Sequence, residues 1–230
     1  MSDLIDTTEM YLKTIYELME ADVVPMRARI VERLGHSGPT VSQTISRMER
    51  DGLVHVESDR RLKLTDVGYA LATEVMRKHR LAERLLVDII GLDWRLAHDE
   101  ACRWEHVMSD AVEERLFKLL DSVTHDPYGN PIPLSSAGGF VGVSVAKLRE
   151  EAAEGAQTIC NLKIARIGEP IQADSLVMQG LAAMGVRPGS EICVTFQKGS
   201  ADISVELKES KDRKVAILPQ EMEAHFFVTR

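Results

Sequence analysis

Apolar positions recur at helical spacing through the first half of the chain and give way to short β-type runs in the last third. From Asp6 to Glu20, Met10, Tyr11, Ile15, Leu18 and Met19 recur near i, i+4 and i+7 or i+8, which predicts a helix with one buried stripe. Asp22 and Pro25 end it. A short helix is expected from Met26 to Leu34, with GHSG as the turn out of it. Ser37 is placed to cap the next helix, Pro39 costs nothing in its first turn, and Gly52 suits a left-handed stop. Between those caps, Val41, Ile45 and Met48 form an apolar stripe, and Thr40, Gln43, Arg47 and Arg50 a polar one. A short helix, a glycine turn and a helix with a hydrogen-bonding outer face is helix-turn-helix spacing. LVHV and RLKL, separated by ESDR, then read as a two-stranded wing.

Three more helical patterns follow, from the N-cap Thr65 to about Ile90, from Trp94 to Met108, and from Asp110 to Asp121. Trp104, Val112, Leu116, Leu119 and Leu120 exceed what one thin helical layer can bury, so a partner subunit is the expected cover. DPYGNPIP, at 126–133, stops any helix and is expected to be extended polyproline II. SSAGG and REEAAEGA mark a boundary, and 144–152 suits a short helix. Beyond Ala156, TICNLKIARI, EICVTF, DISVEL, KVAIL and HFFVTR read as five strands with turns at 198–200 and 209–211, interrupted by a helix from Ala173 to Met184 that stops at Gly185. The expected fold is mainly α with a β C-terminal domain: a winged helix-turn-helix over 1–73, a helical unit with a Pro-rich tail over 74–140, and a small antiparallel barrel over 141–230.

Charge sharpens the first of these. The formal net charge of -8 argues against nucleic acid, yet residues 27–63 hold eight Lys or Arg against five acids. That segment carries about +3 and the rest about -11, the asymmetry of an acidic protein with one phosphate-facing module. Three cysteines without a CxxC pair argue for a reducing interior and against a disulfide framework. An acidic N-terminus without an apolar core, and no apolar run of about 18 residues, argue against secretion and membrane insertion. A cytoplasmic protein is expected.

Candidate chemistry concentrates in ACRWEHVM, 101–108. Cys102, Glu105 and His106 stand at i, i+3 and i+4, with His98 one turn earlier and the pair His79 and Glu83 on the preceding helix. Each donor alone reads as an ordinary helix-surface or core residue. Six of them within 28 residues read as a metal site, and a thiol among imidazoles and carboxylates favours iron or zinc over magnesium or calcium. A metal-dependent hydrolase is the rival class, but there is no HExxH, no GxSxG and no phosphate-cradling loop.

DTTEMYLKTIYEL at 6–18, SGPTVSQTISRMERDGL at 37–53, MRKHRLAERLL at 76–86 and HDEACRWEHVMS at 98–109 closely resemble the diphtheria toxin repressor family, in particular its actinobacterial iron-dependent regulators. The resemblance is tight to about residue 133 and loose beyond, where it matches the family's SH3-like domain. It implies a primary metal site of Met10, Cys102, Glu105 and His106, and an ancillary one of His79, Glu83, His98, Glu169 and Gln172. Pro170 departs from the family pattern between the last two. It implies two Fe(2+) per subunit, with Mn(2+), Co(2+), Ni(2+) and Zn(2+) as substitutes in vitro, and a homodimer, two of which bind one pseudo-palindromic operator. The DNA-facing set is then Arg27, Ala28, Ser37, Pro39, Thr40, Ser42, Gln43, Arg47, Arg50 and Arg60. The implied function is an iron(II)-activated repressor of iron uptake and homeostasis genes, with a manganese-responsive repressor as the alternative. A thioether and a thiol, softer than carboxylates, favour iron.

Overall fold

Caps written into the sequence delimit the N-terminal helices. The computed structural model describes residues 7–133, 141–152, 158–204 and 215–230. The acidic segment 1–6, the SSAGG stretch, the second half of the acidic run after it and the 209–211 turn lie outside those residues. Helices α1 (Thr7–Glu20), α2 (Arg27–Leu34) and α3 (Gly38–Arg50) lead into strands β1 (Val54–Val56) and β2 (Leu62–Leu64). Ser37 accepts the Thr40 amide, Pro39 lies in the first turn of α3, and Gly52 takes φ +75 just past its end. The wing pairs Val54 with Leu64 and Val56 with Leu62 in antiparallel register. Tyr11, Leu12, Ile15, Ile30, Val41, Ile45 and Met48 are buried together in the core of this unit. Burial of side chains of this size contributes about 1.5–3 kcal/mol each. Met19, expected on the buried stripe, is instead exposed: α1 buries Leu12, Lys13 and Tyr16 on a face that turns toward the next helix.

That helix is α4 (Asp66–Arg84), capped by Thr65, whose hydroxyl accepts the Gly68 amide. It continues into a π-helical turn, Leu85–Ile90, that Gly91 closes in the left-handed conformation. Ala72 and Met76 of α4 join the winged-helix core, and Ala82 joins a separate small cluster with Leu86, Ala97 and Ala101. The boundary expected at 73/74 thus falls inside one unbroken helix. Helix α5 (Trp94–Trp104) ends earlier than its pattern, because Val107 and Met108 both turn back to the Trp104 carbonyl. Helix α6 (Asp110–Leu119) follows. Leu96, Val107 and Leu119 of this unit are 54 %, 74 % and 59 % exposed, an apolar surface left open among the described residues.

DPYGNPIP is not a polyproline rod. Asp126 accepts the amides of Tyr128 and Asn130, and Gly129 donates to the Asp126 carbonyl, which folds 126–130 into a turn. Aspartate bonding its own backbone two residues on outcompetes extension. A Cβ on Gly129 would stand 2.3 Å from the Ala165 carbonyl, so this turn lies flat against the C-terminal unit.

That unit holds β3 (Val143–Ser144), α7 (Val145–Glu151), β4 (Thr158–Ile167), α8 (Glu169–Gln172), α9 (Ser175–Met184), β5 (Glu191–Gln197), β6 (Ser200–Ser204), β7 (Val215–Pro219) and β8 (Phe226–Thr229). The strands form one antiparallel sheet in the order β3-β8-β4-β5-β6-β7 around a core that includes Leu162, Ile164, Val194, Leu218 and Phe226. The expectation against a disulfide framework is corrected here: Cys160 and Cys193 form one disulfide, between β4 and β5. A register shift between Ile159 and Leu162, with Asn161 at φ 60, sets Cys160 opposite Cys193 with Cα atoms 4.1 Å apart. Spacing along the chain carries no sign of such a cross-strand pair. Cys102 is the free cysteine among the described residues.

Candidate functional site

Helix α1 carries Glu9, Lys13, Glu17 and Glu20 along one edge, and α1 packs along α4. Lys13 and Glu20 are each 5 % exposed, so their charges are neutralised inside the protein. Glu20 holds Arg80 of α4 through both carboxylate oxygens, and Arg80 also donates to the Pro131 carbonyl. Asp126 lies 3.7 Å from the Arg80 Nε, and Arg166 of β4 donates to the Glu20 carbonyl. These contacts join α1, α4, the Pro-rich turn and the sheet in one buried network.

The sequence donors gather beside it. His79 Nε2 is 2.7 Å from Glu83 Oε1, and His79 Nδ1 is 2.6 Å from Glu105 Oε2. His98 Nδ1 is 3.4 Å from Glu83 Oε1, and its Nε2 is 3.6 Å from Cys102 Sγ. Single donor atoms of His79, His98 and Cys102 all lie within 4.8 Å of one another. Glu169 of α8 is within 3.3 Å of Lys13 Nζ, and Gln172 donates to the Ile167 carbonyl. His106 Nε2 is 3.2 Å from Glu105 Oε1, while its Nδ1 meets Glu9 at 2.7 Å. Glu105 therefore links two halves of the cluster, the His79, His98 and Cys102 half and the His106 half. Met10 is half-buried on α1 against the winged-helix core, one residue from Glu9.

Electrostatics fits this donor set to a cation. Burial alone would raise the Cys102 thiol, but Lys13 and His79 outweigh it and hold it near 5, so the thiolate is the neutral-pH form. Burial likewise opposes charge on Glu83, and His79 and His98 bring it down to about 2. Glu105 is depressed well below the usual range against its own burial, by Lys13 and His79. His98, despite burial, is raised to about 10 by Cys102 and Glu83. Protons and one ammonium thus supply the positive charge among these anions. Glu83 Oε2, Glu169 Oε1 and Gln172 Oε1 are buried acceptors without a hydrogen-bond partner. Orphaned buried acceptors around imidazole and thiolate suit a divalent transition metal. Sequence reasoning missed Glu9, Lys13, Glu17, Glu20 and Arg80. The usable signal was the run of charges at i, i+4, i+8 and i+11 of α1, Glu9, Lys13, Glu17 and Glu20, which share one helix face.

The outer face of α3 is a contrasting surface. Ser37, Pro39, Thr40, Ser42, Gln43, Arg47 and Arg50 are exposed, while Val41, Thr44, Ile45 and Met48 are buried beneath them. Ala28 and, at the wing tip, Arg60 with φ 72 are exposed, and Arg27 is half-buried. The face projects its polar groups clear of the domain.

Comparison with known proteins follows the same division. Residues 3–62 match the family described as iron dependent repressor, N-terminal DNA binding domain, and residues 65–134 match its metal binding and dimerisation domain. The diphtheria toxin repressor of Corynebacterium diphtheriae is 55 % identical over 207 residues, covering 89 % of this chain and 91 % of that one. The iron-dependent repressor IdeR of Mycobacterium tuberculosis is 51 % identical over 205 residues, covering 86 % and 88 %. Among solved structures, a manganese-dependent transcriptional repressor in complex with manganese superposes with a TM-score of 0.76 at 27 % identity, over 97 % of this chain and 99 % of that one. T. acidophilum IdeR gives 0.71 at 25 % identity, over 96 % of each. With half the residues shared over nearly nine-tenths of its length, the chain belongs to the diphtheria toxin repressor family of iron-dependent, DNA-binding transcriptional repressors, and is no enzyme.

Proposed function

We propose that the chain is a cytoplasmic, iron(II)-activated repressor of iron uptake and homeostasis genes, and that it binds a pseudo-palindromic operator as two homodimers. The observation that carries this reading is the buried convergence of His79, His98 and Cys102 at the junction of α4 and α5, with Glu105 and Glu169 drawn in from either side. Each subunit is assigned two Fe(2+) ions. His79, Glu83, His98, Glu169 and Gln172 hold the ancillary one, and Met10, Cys102, Glu105 and His106 the primary one. Bound there, an ion supplies a double positive charge and fixed coordination directions. Mn(2+), Co(2+), Ni(2+) and Zn(2+) are expected to substitute in vitro.

The residues do the rest. Met10 and Glu9 belong to α1 of the DNA-binding domain, and Cys102, Glu105 and His106 to the helical unit, so a shared shell fixes the angle between them. The uncovered apolar surface at Leu96, Val107 and Leu119 suits the second subunit. In a dimer, the two α3 helices must sit about 34–36 Å apart, or a multiple, to enter successive major grooves. A small rotation then decides binding. Swinging such an equilibrium from mostly off to mostly on takes about 5.5 kcal/mol of differential affinity. Ser37, Pro39 and Gln43 are assigned to base contacts, and Arg27, Ala28, Thr40, Ser42, Arg47, Arg50 and Arg60 to backbone and flanking contacts.

The test is affinity for operator DNA, selected from a random pool, titrated with Fe(II) and in parallel with Mn(II) under anaerobic conditions. Fe(II) should tighten binding by a hundredfold or more and at lower concentration than Mn(II). Binding that ignores metal would refute the reading, and a lower Mn(II) threshold would turn it into a manganese sensor.

A further inference from the structure

The middle of the donor cluster is occupied by a side chain that no donor pattern contains. Lys13 Nζ lies 2.8 Å from Glu105 Oε2, 3.1 Å from His79 Nδ1, 3.3 Å from Glu169 Oε2 and 3.7 Å from Cys102 Sγ. These four atoms come from α4, from α5 and the residue just past its end, and from α8, and the lysine from α1. An ammonium has three protons to give and accepts nothing, so it is surrounded here by the atom types that ligate a transition metal. Its side chain is 6 % exposed, and the two carboxylates it meets are 3 % exposed. A single buried cation thus draws together the Glu105 and Glu169 carboxylates and the Cys102 thiolate, with the His79 ring, whose Nδ1 faces Glu105, at its side.

We propose that Lys13 is an internal competitor for the metal: its ammonium holds these donors in the metal-free chain, and divalent-ion binding is an exchange in which Lys13 must withdraw. The inference rests on the metal-site reading above. Metal–ligand bonds of about 2.0–2.3 Å leave no room for an ammonium at 2.8–3.7 Å from the same atoms. Two like charges among the same acceptors also repel strongly in so dry a place. A lysine stem is flexible enough to swing clear, and Glu17, which pairs with Arg33 at 2.7 Å, stands one helical turn along α1. Lys13 therefore sets the metal concentration at which the site fills. It ties that threshold to α1, the same helix that carries Glu9 to His106 and Glu20 to Arg80.

The test uses the full-length, metal-free chain and Co(II). Calorimetry gives the affinity, and the thiolate-to-Co(II) absorption reports whether Cys102 is a ligand. Lys13→Gln and Lys13→Leu should bind Co(II) tenfold or more tightly than wild type, and Lys13→Arg, which keeps the charge, within about threefold of it. Without metal, the two neutral variants should melt at lower temperature and regain more on adding Co(II) than wild type does. A second measurement needs no variant: in metal-free wild type the shielded Lys13 ammonium should give a slowly exchanging nitrogen-15 signal, lost or shifted when Zn(II) saturates the site. Unchanged or weaker Co(II) affinity in Lys13→Gln, or a Lys13 signal indifferent to Zn(II), would overturn the exchange. If wild type and Lys13→Gln alike take up no Co(II), the metal-site reading itself falls, a result distinguishable from an exchange that fails at a working site.

Discussion

The outer face of α3 and the cluster around His79 are both polar, and they obey different rules. On α3, Gln43, Arg47 and Arg50 stand in water, each kept by its own helix position above a buried stripe of Val41, Ile45 and Met48. Around His79, every charge is neutralised by a neighbour from another element, as Lys13 is by Glu105 and Glu169, and Arg80 by Glu20. Water tolerates a missing partner and a dry interior does not. The exposed face can therefore change residue by residue, whereas the buried one changes as a unit.

The sharpest way to probe that difference is at the seam between the two regions. Met10→Ala leaves Cys102, Glu105 and His106 in place but removes the assigned side-chain ligand from the DNA-binding side. Metal should still bind by calorimetry, and up to about 5.5 kcal/mol of metal-dependent operator affinity should vanish. Met10→Leu, nearly equal in volume, tests whether packing alone accounts for the residue. A Met10→Leu protein with a wild-type Fe(II) response in gel shift would remove Met10 from the switch. Next in size, Arg80→Met strands Glu20 and Asp126 without their cation and should cost about 3–5 kcal/mol in urea unfolding. Arg47→Met on the open face should cost under about 0.5 kcal/mol. Equal losses at the two arginines would erase the contrast.

Within the open face, Gln43→Ala should lose about 1–3 kcal/mol on operator and little on random DNA. Arg47→Ala or Arg50→Ala should weaken both DNAs alike and lower the salt slope by about 1. Equal losses for Gln43→Ala on both DNAs would deny it base readout. A last test concerns pH. Burial, with Arg33 and Arg166 nearby, lowers His225 to about 4. An unfolded chain protonates this ring near 6.5, so between those values the unfolded state binds the extra proton and folding stability falls as pH drops. His225→Gln should be less sensitive to acid over that window in chemical denaturation. A wild-type pH profile in the variant would place the ring in water.

Much of this was legible beforehand, and for local reasons. Ser37, Thr65, Gly52 and Gly185 act within a few residues of their own positions, so the sequence already contains the caps and stops they produce. The faces of α3 and five of the six strands of the sheet follow from periodicity in the same way. The donors His79, Glu83, His98, Cys102, Glu105 and His106 stood out by clustering within a short span. What escaped was pairing across long separations. Lys13 with Glu105, Glu20 with Arg80, and Cys160 with Cys193 join residues on different elements, and nothing at either residue alone announces the other. The Asp126 turn was missed for a different reason, since a side chain bonding its own backbone overrode the extended bias of three prolines.

Helix α4 passes without a break from the winged-helix core to the helical cluster, carrying His79, Arg80 and Glu83 along the way. The two units are consequently not beads on a string, and a recombinant that exchanges DNA-binding modules between relatives cannot be cut at the boundary that the sequence pattern predicts. A junction inside α4 would graft one protein's α1 onto another's His79 and Arg80, mismatching the Lys13 and Glu20 contacts on which both depend. Such chimeras should work only when α1 and the whole of α4 travel together, which makes this helix part of the inheritance of both domains.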